Sequence, residues 1–149
     1  MPEVHTRRIT VGVDSIDAHR HVNNQEYLRW MQELAIEHST ALGWPFERYL
    51  ASGASWYVKS HFIDYLRPAQ LGDTLLACTW VSAMNERSSP RHTLFLRESD
   101  QQIIARAETL WIYVSLKSGR PLPIAADVRA AFPIIDSEAT ALARLQSLA

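Results

Sequence analysis

The sequence predicts an α+β domain in which one long helix packs against an antiparallel sheet. Three observations predict this class: a strand-like first segment, a single long run with helical periodicity, and several later runs rich in β-branched and aromatic residues. Polar, Gly or Pro breaks separate the later runs, as expected between antiparallel neighbours. A single helix against such a sheet is an α+β architecture.

Length and composition favour one ordinary globular domain. The chain has 149 residues, of which 47% are hydrophobic and 21% charged, and no Pro/Gly/Ser-rich linker divides it. We expect a single domain over residues 1–149, with a core at about 4–132 and a helical tail at 133–149. The net charge of -1 supplies no positive field for a nucleic-acid partner.

Apolar stretches in the chain are no longer than a strand, so we expect no membrane span. The first residues, MPEVHTRRIT, lack the apolar segment of a secretory signal. A cytoplasmic protein is therefore expected.

The first half is predicted to contain a strand, a loop and the long helix. Residues 4–13 mix β-branched and charged side chains, as in a strand, and the loop DSIDAHRHVNN follows. From Asn24 to about Leu42 apolar side chains recur at helical spacing, and Gly43 and Pro45 provide the stop signal. The predicted buried face consists of Tyr27, Leu28, Met31, Leu34, Ala35, His38 and Leu42.

The second half is predicted to be mostly sheet. After a short helical or irregular connector at 44–53, strands are predicted at 55–66, 74–84, 92–99 and 103–116, with breaks at RPAQLGD, NERSSPR, SDQQ and KSGRP. Helices are predicted at 125–132 and 137–148, the second as a loosely packed tail. One helix covers only one face of a five-stranded sheet, so we expect a second copy to cover the other face or an edge.

Polar groups with catalytic potential are concentrated just before the long helix. Residues 17–24, DAHRHVNN, combine a carboxylate, two imidazoles and two carboxamides. The unpaired N–H groups and positive dipole end of the helix lie here and favour developing negative charge, as on the oxyanion of an acyl-transfer reaction. Asp17 could act there as a nucleophile or as a base for water. Asp, as at position 17, and Asn, as at positions 23 and 24, are also common capping and turn residues, which is the alternative interpretation of this loop.

Other catalytic arrangements find less support in the sequence. His19 and His21 could join Asp17 in a two-histidine, one-carboxylate metal site, but the spacing is short for a loop to wrap one ion, so no metal is expected. No GxSxG nucleophile motif is present. The single cysteine, Cys78, lies in the apolar run TLLACTWVSA and is expected to be buried in a strand rather than to be a nucleophile.

The run VDSIDAHRHVNNQEYLRW resembles the signature of the 4-hydroxybenzoyl-CoA thioesterase-like hotdog proteins. Its HVNN..Y form is typical of long-chain acyl-CoA and plant acyl-ACP thioesterases. YLRPA with LGD, WIYVS with GRP, and PLPIAADVRAAF resemble later parts of the family pattern, so the resemblance covers nearly all of residues 8–132. It implies a hotdog fold, in which a five-stranded antiparallel sheet wraps a long central helix.

The resemblance also implies an activity: hydrolysis of acyl-CoA thioesters without a cofactor, by a homodimer or a homotetramer built as a dimer of dimers. The HVNN form favours fatty acyl-CoA as the substrate. Active sites in the family lie at the subunit interface. Asp17 matches the catalytic carboxylate, the backbone N–H of Asn24 matches the group that polarises the thioester carbonyl, and His21 matches a participating histidine of the acyl-ACP relatives. His19 replaces an asparagine of those relatives, so its role stays open.

Substrate contacts are expected around this site. Asn23 is expected to orient the loop or the water, and Tyr27 either contacts substrate or packs in the core. The acyl pocket is expected to be shaped by a second subunit through Trp56, Tyr57, Val58 and Lys59, whose alternative role is strand packing. Arginines in predicted loops could meet the phosphates of coenzyme A, namely Arg87, Arg91 and Arg120. The aromatic residues Trp30, Trp44, Phe46 and Trp56 suit either a long-chain tunnel or an aryl pocket, so the acyl preference stays open.

Two other functions remain compatible with the sequence. A hotdog hydratase or dehydratase also uses an Asp/His pair beside a helix, although its Asp and His stand farther apart than in this loop. A non-catalytic acyl-binding module would use the fold only as a pocket. An intact Asp17 argues against the binding module.

Overall fold

The computed structural model describes residues 3–147, and its elements follow the order strand, long helix, short helix, four strands and two helices. The strands are β1 (His5–Thr10), β2 (Ala54–Tyr65), β3 (Thr74–Val81), β4 (Ser88–Arg97) and β5 (Ile103–Ser115). The helices are α1 (Asn24–Ala41), α2 (Phe46–Ser52), α3 (Ala126–Ala131) and α4 (Glu138–Ser147). The end of the predicted tail, beyond residue 147, lies outside the described residues.

All five strands form one antiparallel sheet in the order β1-β3-β4-β5-β2. The predicted α+β class and five-stranded sheet are therefore confirmed. β2 comes second among the strands in the chain but pairs only with β5 in the described structure, so it forms one edge of the sheet. This edge leaves a row of backbone groups without a neighbour inside the chain.

The long helix α1 packs on one face of the sheet through its predicted apolar side and through Trp30, which the predicted face did not include. Tyr27, Trp30 and Leu34 are at most 3% exposed, and they lie in one core cluster with Leu75 and Phe95. The Tyr27 ring meets the Phe95 ring edge-on at 5.1 Å between centroids. Aromatic burial of this kind fixes the helix on the sheet, and with it the position of the helix start.

The opposite face of the central strands is covered by α4. Successive side chains of a strand point to opposite faces, so Ala77 and Phe95 face α1 whereas Cys78 and Leu94 face away from it. Ala141 of α4 is fully buried in the cluster that contains Cys78 and Leu94. The expectation of a loosely packed tail was wrong, because the apolar side of α4 completes a core that the second sheet face needs.

An ion pair ties the start of α4 to the sheet. The guanidinium of Arg106, on β5, donates two hydrogen bonds to the Glu138 carboxylate, at 2.6 and 3.0 Å. The sheet face therefore needs no second copy over α4, and in the described residues the outer edges of β1 and β2 are the parts of the sheet without a neighbouring strand.

Strand β4 begins earlier than its sequence predicts. The NERSSPR segment was expected to be a break, yet Ser88 already pairs with Ile112, and Pro90 pairs with Leu110. Proline has no backbone N–H to donate to a neighbouring strand, and a break was predicted there for that reason. The Pro90 carbonyl, however, accepts a hydrogen bond from the Ser82 N–H at 3.1 Å. Arg91 consequently lies inside a strand rather than in a loop.

Cys78 is fully buried in β3, as the sequence predicted. Burial raises the pKa of its thiol to about 12, so the reactive thiolate is scarce at neutral pH. The structure gives Cys78 a packing role.

Replacement of Ala141 by Asp should destabilise the domain, because a carboxylate would be forced into the core under α4. We expect the free energy of unfolding to fall by more than about 2 kcal/mol, measured by urea denaturation. Ala143→Asp, at an exposed position of the same helix, is the matched control and should change it by less than about 0.5 kcal/mol. Equal effects of the two substitutions would show that α4 is not packed on the sheet.

Candidate active site

The loop between β1 and α1 folds back on itself as a small hairpin. Ile16 and Val22 form an antiparallel bridge, and the Asp17 N–H donates to the His21 carbonyl at 2.8 Å. Arg20 makes the reversal with φ +62°, a left-handed conformation that non-glycine residues adopt infrequently. The fold-back brings Asp17 beside His21, with the helix start a few residues beyond.

The Asp17 carboxylate has one oxygen engaged and one open. Its Oδ1 accepts hydrogen bonds from the N–H groups of His19, at 2.9 Å, and His21, at 3.3 Å. Within the described part of the chain its Oδ2 receives no hydrogen bond, and the side chain is exposed. The engaged oxygen fixes the orientation of the carboxylate, and the open oxygen is available to water or to a substrate.

The start of α1 offers a backbone donor close by in sequence. Asn23 caps the helix, and its side-chain oxygen accepts from the Gln25 N–H at 3.0 Å. Asn24 is the first helical residue, so its N–H has no acceptor within the helix, nor has it one elsewhere among residues 3–147. The free N–H and the dipole of an 18-residue helix provide a site for a developing oxyanion.

Ser15 and Glu26 join the loop to the first turn of α1. The Asn23 N–H donates to the Ser15 carbonyl at 2.8 Å, and the Ser15 hydroxyl donates to Glu26 at 2.6 Å. The Glu26 carboxylate also accepts from Arg29, and this hydrogen bond lowers the pKa of Glu26. Sequence analysis missed these two positioning residues; the only signal was a serine two positions before Asp17.

The segment between β2 and β3 supports the other side of the loop. The Val22 N–H donates to the Ala69 carbonyl at 2.8 Å, and His21 forms a bridge with Gln70. The hydroxyl of Tyr65, at the end of β2, donates to the Asn24 carbonyl at 3.4 Å. Tyr65 therefore lies at the mouth of the helix, although its position in the sequence gave no reason to select it.

Tyr27 belongs to the core rather than to the surface of the site. Its side chain is 3% exposed, and burial raises the pKa of its phenol to about 12. Its ring packs against Trp30 and Phe95. Of the two roles that the sequence allowed for Tyr27, the structure supports packing.

The four candidates on β2 are not brought to Asp17 within one chain. They are Trp56, Tyr57, Val58 and Lys59, with a bulge between Val58 and Ser60. Trp56 is half-buried and lines a cavity at the other end of α1, whereas Tyr57 is 45% exposed at the edge of the sheet. From Trp56 to Tyr65 the strand runs about 30 Å. Residues 56–59 could therefore contact an Asp17 loop only across a subunit interface, with β2 from one chain and the loop from another.

The three candidate arginines have different surroundings. Arg87 and Arg120 are exposed and lie outside the strands, as predicted. The expected loop position of Arg91 was wrong: the residue lies in β4 and is 5% exposed. Its guanidinium donates to Nδ1 of His38 at 3.0 Å and to the Thr79 hydroxyl at 3.1 Å. Arg91 is therefore not placed to meet a CoA phosphate at the surface.

In residues 3–147, no group of three or more His, Cys, Asp or Glu side chains is arranged to bind a metal ion. The ring of His19 is exposed, and only its backbone N–H takes part in the loop. Over the same residues, every helix is too short or too polar to cross a bilayer.

Comparison with known proteins gives related sequences that are thioesterases. The long-chain acyl-CoA thioesterase FadM of Escherichia coli is 26% identical over 117 residues, which are 76% of this chain and 86% of FadM. An L-carnitine dehydrogenase/betainyl-CoA thioesterase of Rhizobium meliloti is 26% identical over 125 residues, 83% of this chain but 25% of that longer protein.

Solved structures show the same fold. YbaW, a probable thioesterase of Escherichia coli, superposes with a TM-score of 0.75 at 25% identity, covering 85% of this chain and 95% of its own. The 1,4-dihydroxy-2-naphthoyl-CoA thioesterase Slr0204 of Synechocystis has a TM-score of 0.79 at 18% identity, with coverages of 90% and 98%. The family profile described as thioesterase-like superfamily matches residues 11–132. With its five-stranded hotdog sheet, this chain belongs to the thioesterase-like superfamily.

Proposed function

We propose that the protein hydrolyses acyl-CoA thioesters to the free acid and CoA at the Asp17 loop. One observation carries the proposal: an oriented carboxylate with an open oxygen lies in the loop that leads into a helix whose first N–H has no acceptor among the described residues. Thioester hydrolysis needs both groups, one for the carbonyl carbon or the attacking water and one for the carbonyl oxygen. The acyl-CoA thioesterases among the relatives support the choice of substrate class.

The chain's own residues supply each step of the reaction. The thioester carbonyl oxygen accepts from the Asn24 N–H, which stabilises the oxyanion that forms. Asp17 then either takes a proton from water as the water attacks the carbonyl carbon, or attacks that carbon itself to form a mixed anhydride that water hydrolyses. The C–S bond breaks, the CoA sulfur receives a proton, and the acid leaves. His21 and Asn23 orient the loop or the water, and no cofactor is needed.

A second copy of the chain is the proposed neighbour of the β2 edge. This strand presents large exposed side chains, with Tyr57 45%, Phe62 66% and Tyr65 44% exposed. A long edge strand with apolar side chains favours pairing with another chain. Pairing of two β2 edges would give a homodimer, from which a dimer of dimers could form. It would also bring residues 56–59 of one chain towards the other chain's active site, and the acyl pocket would lie at the interface.

Two exposed arginines are the proposed binding residues for coenzyme A. Arg87 and Arg120 are proposed to meet the CoA phosphates, since both are exposed cations outside the strands. Fatty acyl-CoA is the proposed substrate, as in the long-chain acyl-CoA thioesterase among the relatives, and a cytoplasmic location is proposed as well.

Asp17→Asn tests the proposed role of the carboxylate. Asparagine keeps a side-chain oxygen that can accept the His19 and His21 N–H groups, so the loop is preserved while the negative charge is lost. We expect turnover of acyl-CoAs of different chain length, followed by release of the CoA thiol, to fall at least about a hundredfold. Asp14→Asn, at an exposed position of the same loop, should retain wild-type turnover.

Wild-type turnover in the Asp17→Asn protein would falsify the assignment. Two further outcomes would replace the proposal with the alternatives: conversion of an enoyl-CoA without thiol release would indicate a hydratase, and tight acyl-CoA binding without thiol release would indicate a binding module.

Phe62→Asp tests the β2 edge as the subunit interface. A carboxylate on the exposed side of the edge strand should weaken pairing of two copies, and we expect the protein to change from dimer to monomer in sedimentation velocity runs. Turnover per chain should fall with it if the acyl pocket lies between subunits. Ile134→Asp, at a position 48% exposed that bridges the end of β3 and lies away from β2, is the control and should leave the assembly unchanged. A wild-type monomer, or an unchanged dimer in Phe62→Asp, would contradict the interface.

A further inference from the structure

A cavity of about 230 Å³ lies at the far end of α1 from the Asp17 loop. Its walls come from the second half of α1, from α2, from the start of β2 and from the three following strands. They include six aromatic side chains: Trp44, Phe46, Tyr49, Trp56, Trp111 and Phe132. The cavity is smaller than the roughly 300–1,000 Å³ typical of pockets for drug-sized ligands, so it suits a small ligand.

Arg91 provides the one positive charge in this lining. One of its terminal nitrogens donates to His38 and Thr79, and the remaining guanidinium N–H groups have no acceptor among residues 3–147. In that part of the chain no carboxylate lies within ion-pair distance of Arg91. Burial lowers the pKa of the guanidinium to about 10, which still leaves it charged at neutral pH. A buried charge without a counter-ion is costly, so a role beyond packing is indicated.

Neighbouring side chains do not neutralise this charge. Arginine only donates, so Nδ1 of His38 must accept, and the His38 ring is neutral. Burial raises the pKa of the Tyr49 phenol, which stays neutral as well. The Tyr49 hydroxyl is shared with Ser39 at 2.8 Å and with the Trp56 indole N–H at 3.2 Å. The polar groups of Ser39, Tyr49 and Trp56 are thus paired with one another. Among residues 3–147, the Trp111 indole N–H and the remaining N–H groups of Arg91 have no hydrogen-bond acceptor, so they are available to an anion.

We propose that this cavity binds a small carboxylic acid, its apolar body among the aromatic walls and its carboxylate accepting hydrogen bonds from Arg91. A carboxylate matches the planar fork of a guanidinium and supplies the missing negative charge. The site is separate from the Asp17 loop within one chain, because Arg91 contacts His38, and the helix rises about 21 Å between Asn24 and His38.

Two sources could supply such a carboxylate. One is a free acid, which is the class of product that thioester hydrolysis releases. The other is the far carboxylate of an ω-carboxyacyl group that reaches the cavity from the active site of a second copy; this source rests on the proposed function.

Binding of octanoate, followed through the fluorescence of the tryptophans in the cavity wall, tests the proposal. The wild type should bind octanoate at least tenfold more tightly than 1-octanol, which has the same chain but no charge. Arg91→Met should weaken octanoate binding about tenfold to a hundredfold and leave octanol binding within about twofold, as expected for loss of charged hydrogen bonds. Arg8→Met, which removes an exposed arginine of β1, is the matched control and should bind octanoate as the wild type does.

The proposal is overturned if the wild type binds neither compound, if it binds both equally, or if a folded Arg91→Met protein retains the preference for octanoate. Should Arg91→Met fail to fold, the wild-type comparison of the acid with the alcohol decides. Asp17→Asn should bind octanoate normally whatever its turnover, so failure of the catalytic proposal would not be mistaken for failure of this one.

Turnover distinguishes the two sources. A wild-type preference for suberyl-CoA over octanoyl-CoA that is lost in Arg91→Met would assign the cavity to the acyl group of the substrate. Octanoate binding without that preference would assign it to a free acid.

Discussion

The geometry of the active site depends on the backbone pairing between the two arms of the loop before α1. The Asp17 N–H to His21 carbonyl bond and the Asn23 N–H to Ser15 carbonyl bond fold this segment into a hairpin. Without them the carboxylate and the helix start would be linked only by a flexible chain. Each bond contributes only about 1 kcal/mol net, but together they replace many loop conformations by one. Catalysis by a carboxylate needs such orientation, because misplacement by about 1 Å can cost a hundredfold in rate.

The sheet and α1 make that hairpin rigid. Aromatic packing of Tyr27 and Trp30 against Phe95 fixes the helix, and the Ser15–Glu26 hydrogen bond fixes the loop on the helix. The carbonyl of Ala69 fixes its other side. Coverage of the second sheet face by α4 leaves the outer edges of β1 and β2, and β2 is the edge proposed to pair with another chain. The chain thus completes its own core, and the β2 edge carries the residues expected at a subunit interface.

Patterns among neighbouring residues correctly predicted those helices and strands whose formation depends mainly on interactions between neighbouring residues. The apolar period of α1, its Asn cap and its Gly stop signal are all properties of neighbouring residues, and the helix was predicted within one residue of its observed end. Asp17 was a candidate for the same reason, since a carboxylate before a helix start is visible in the sequence, whereas the Asn24 N–H was selected from the resemblance to the hotdog thioesterases. The break predicted at Pro90 was wrong. Proline disrupts a strand where the neighbouring strand needs a backbone N–H donor, but here the Pro90 carbonyl is the group that is used.

Long-range contacts could not be predicted from such patterns. Arg91 was placed in a loop because the NERSSPR segment was predicted to be a break between strands. Only the packing of α1 on β4 places it beside His38. The positioning roles of Glu26 and Tyr65 likewise arise from tertiary contacts, Tyr65 reaching Asn24 from 41 residues away. The burial of α4 depends on alternate side chains of two strands that are far from it in sequence.

The central claim is that one thioester carbonyl lies between the carboxylate of Asp17 and the first amide of α1. The most direct measurement is a crystal structure of the Asp17→Asn protein with an intact acyl-CoA bound. The account predicts the carbonyl oxygen at about 2.7–3.1 Å from the Asn24 nitrogen and the carbonyl carbon at about 3–3.5 Å from the substituted side chain, or from a water that this side chain binds. A thioester bound elsewhere, with its oxygen accepting from other donors, would contradict it.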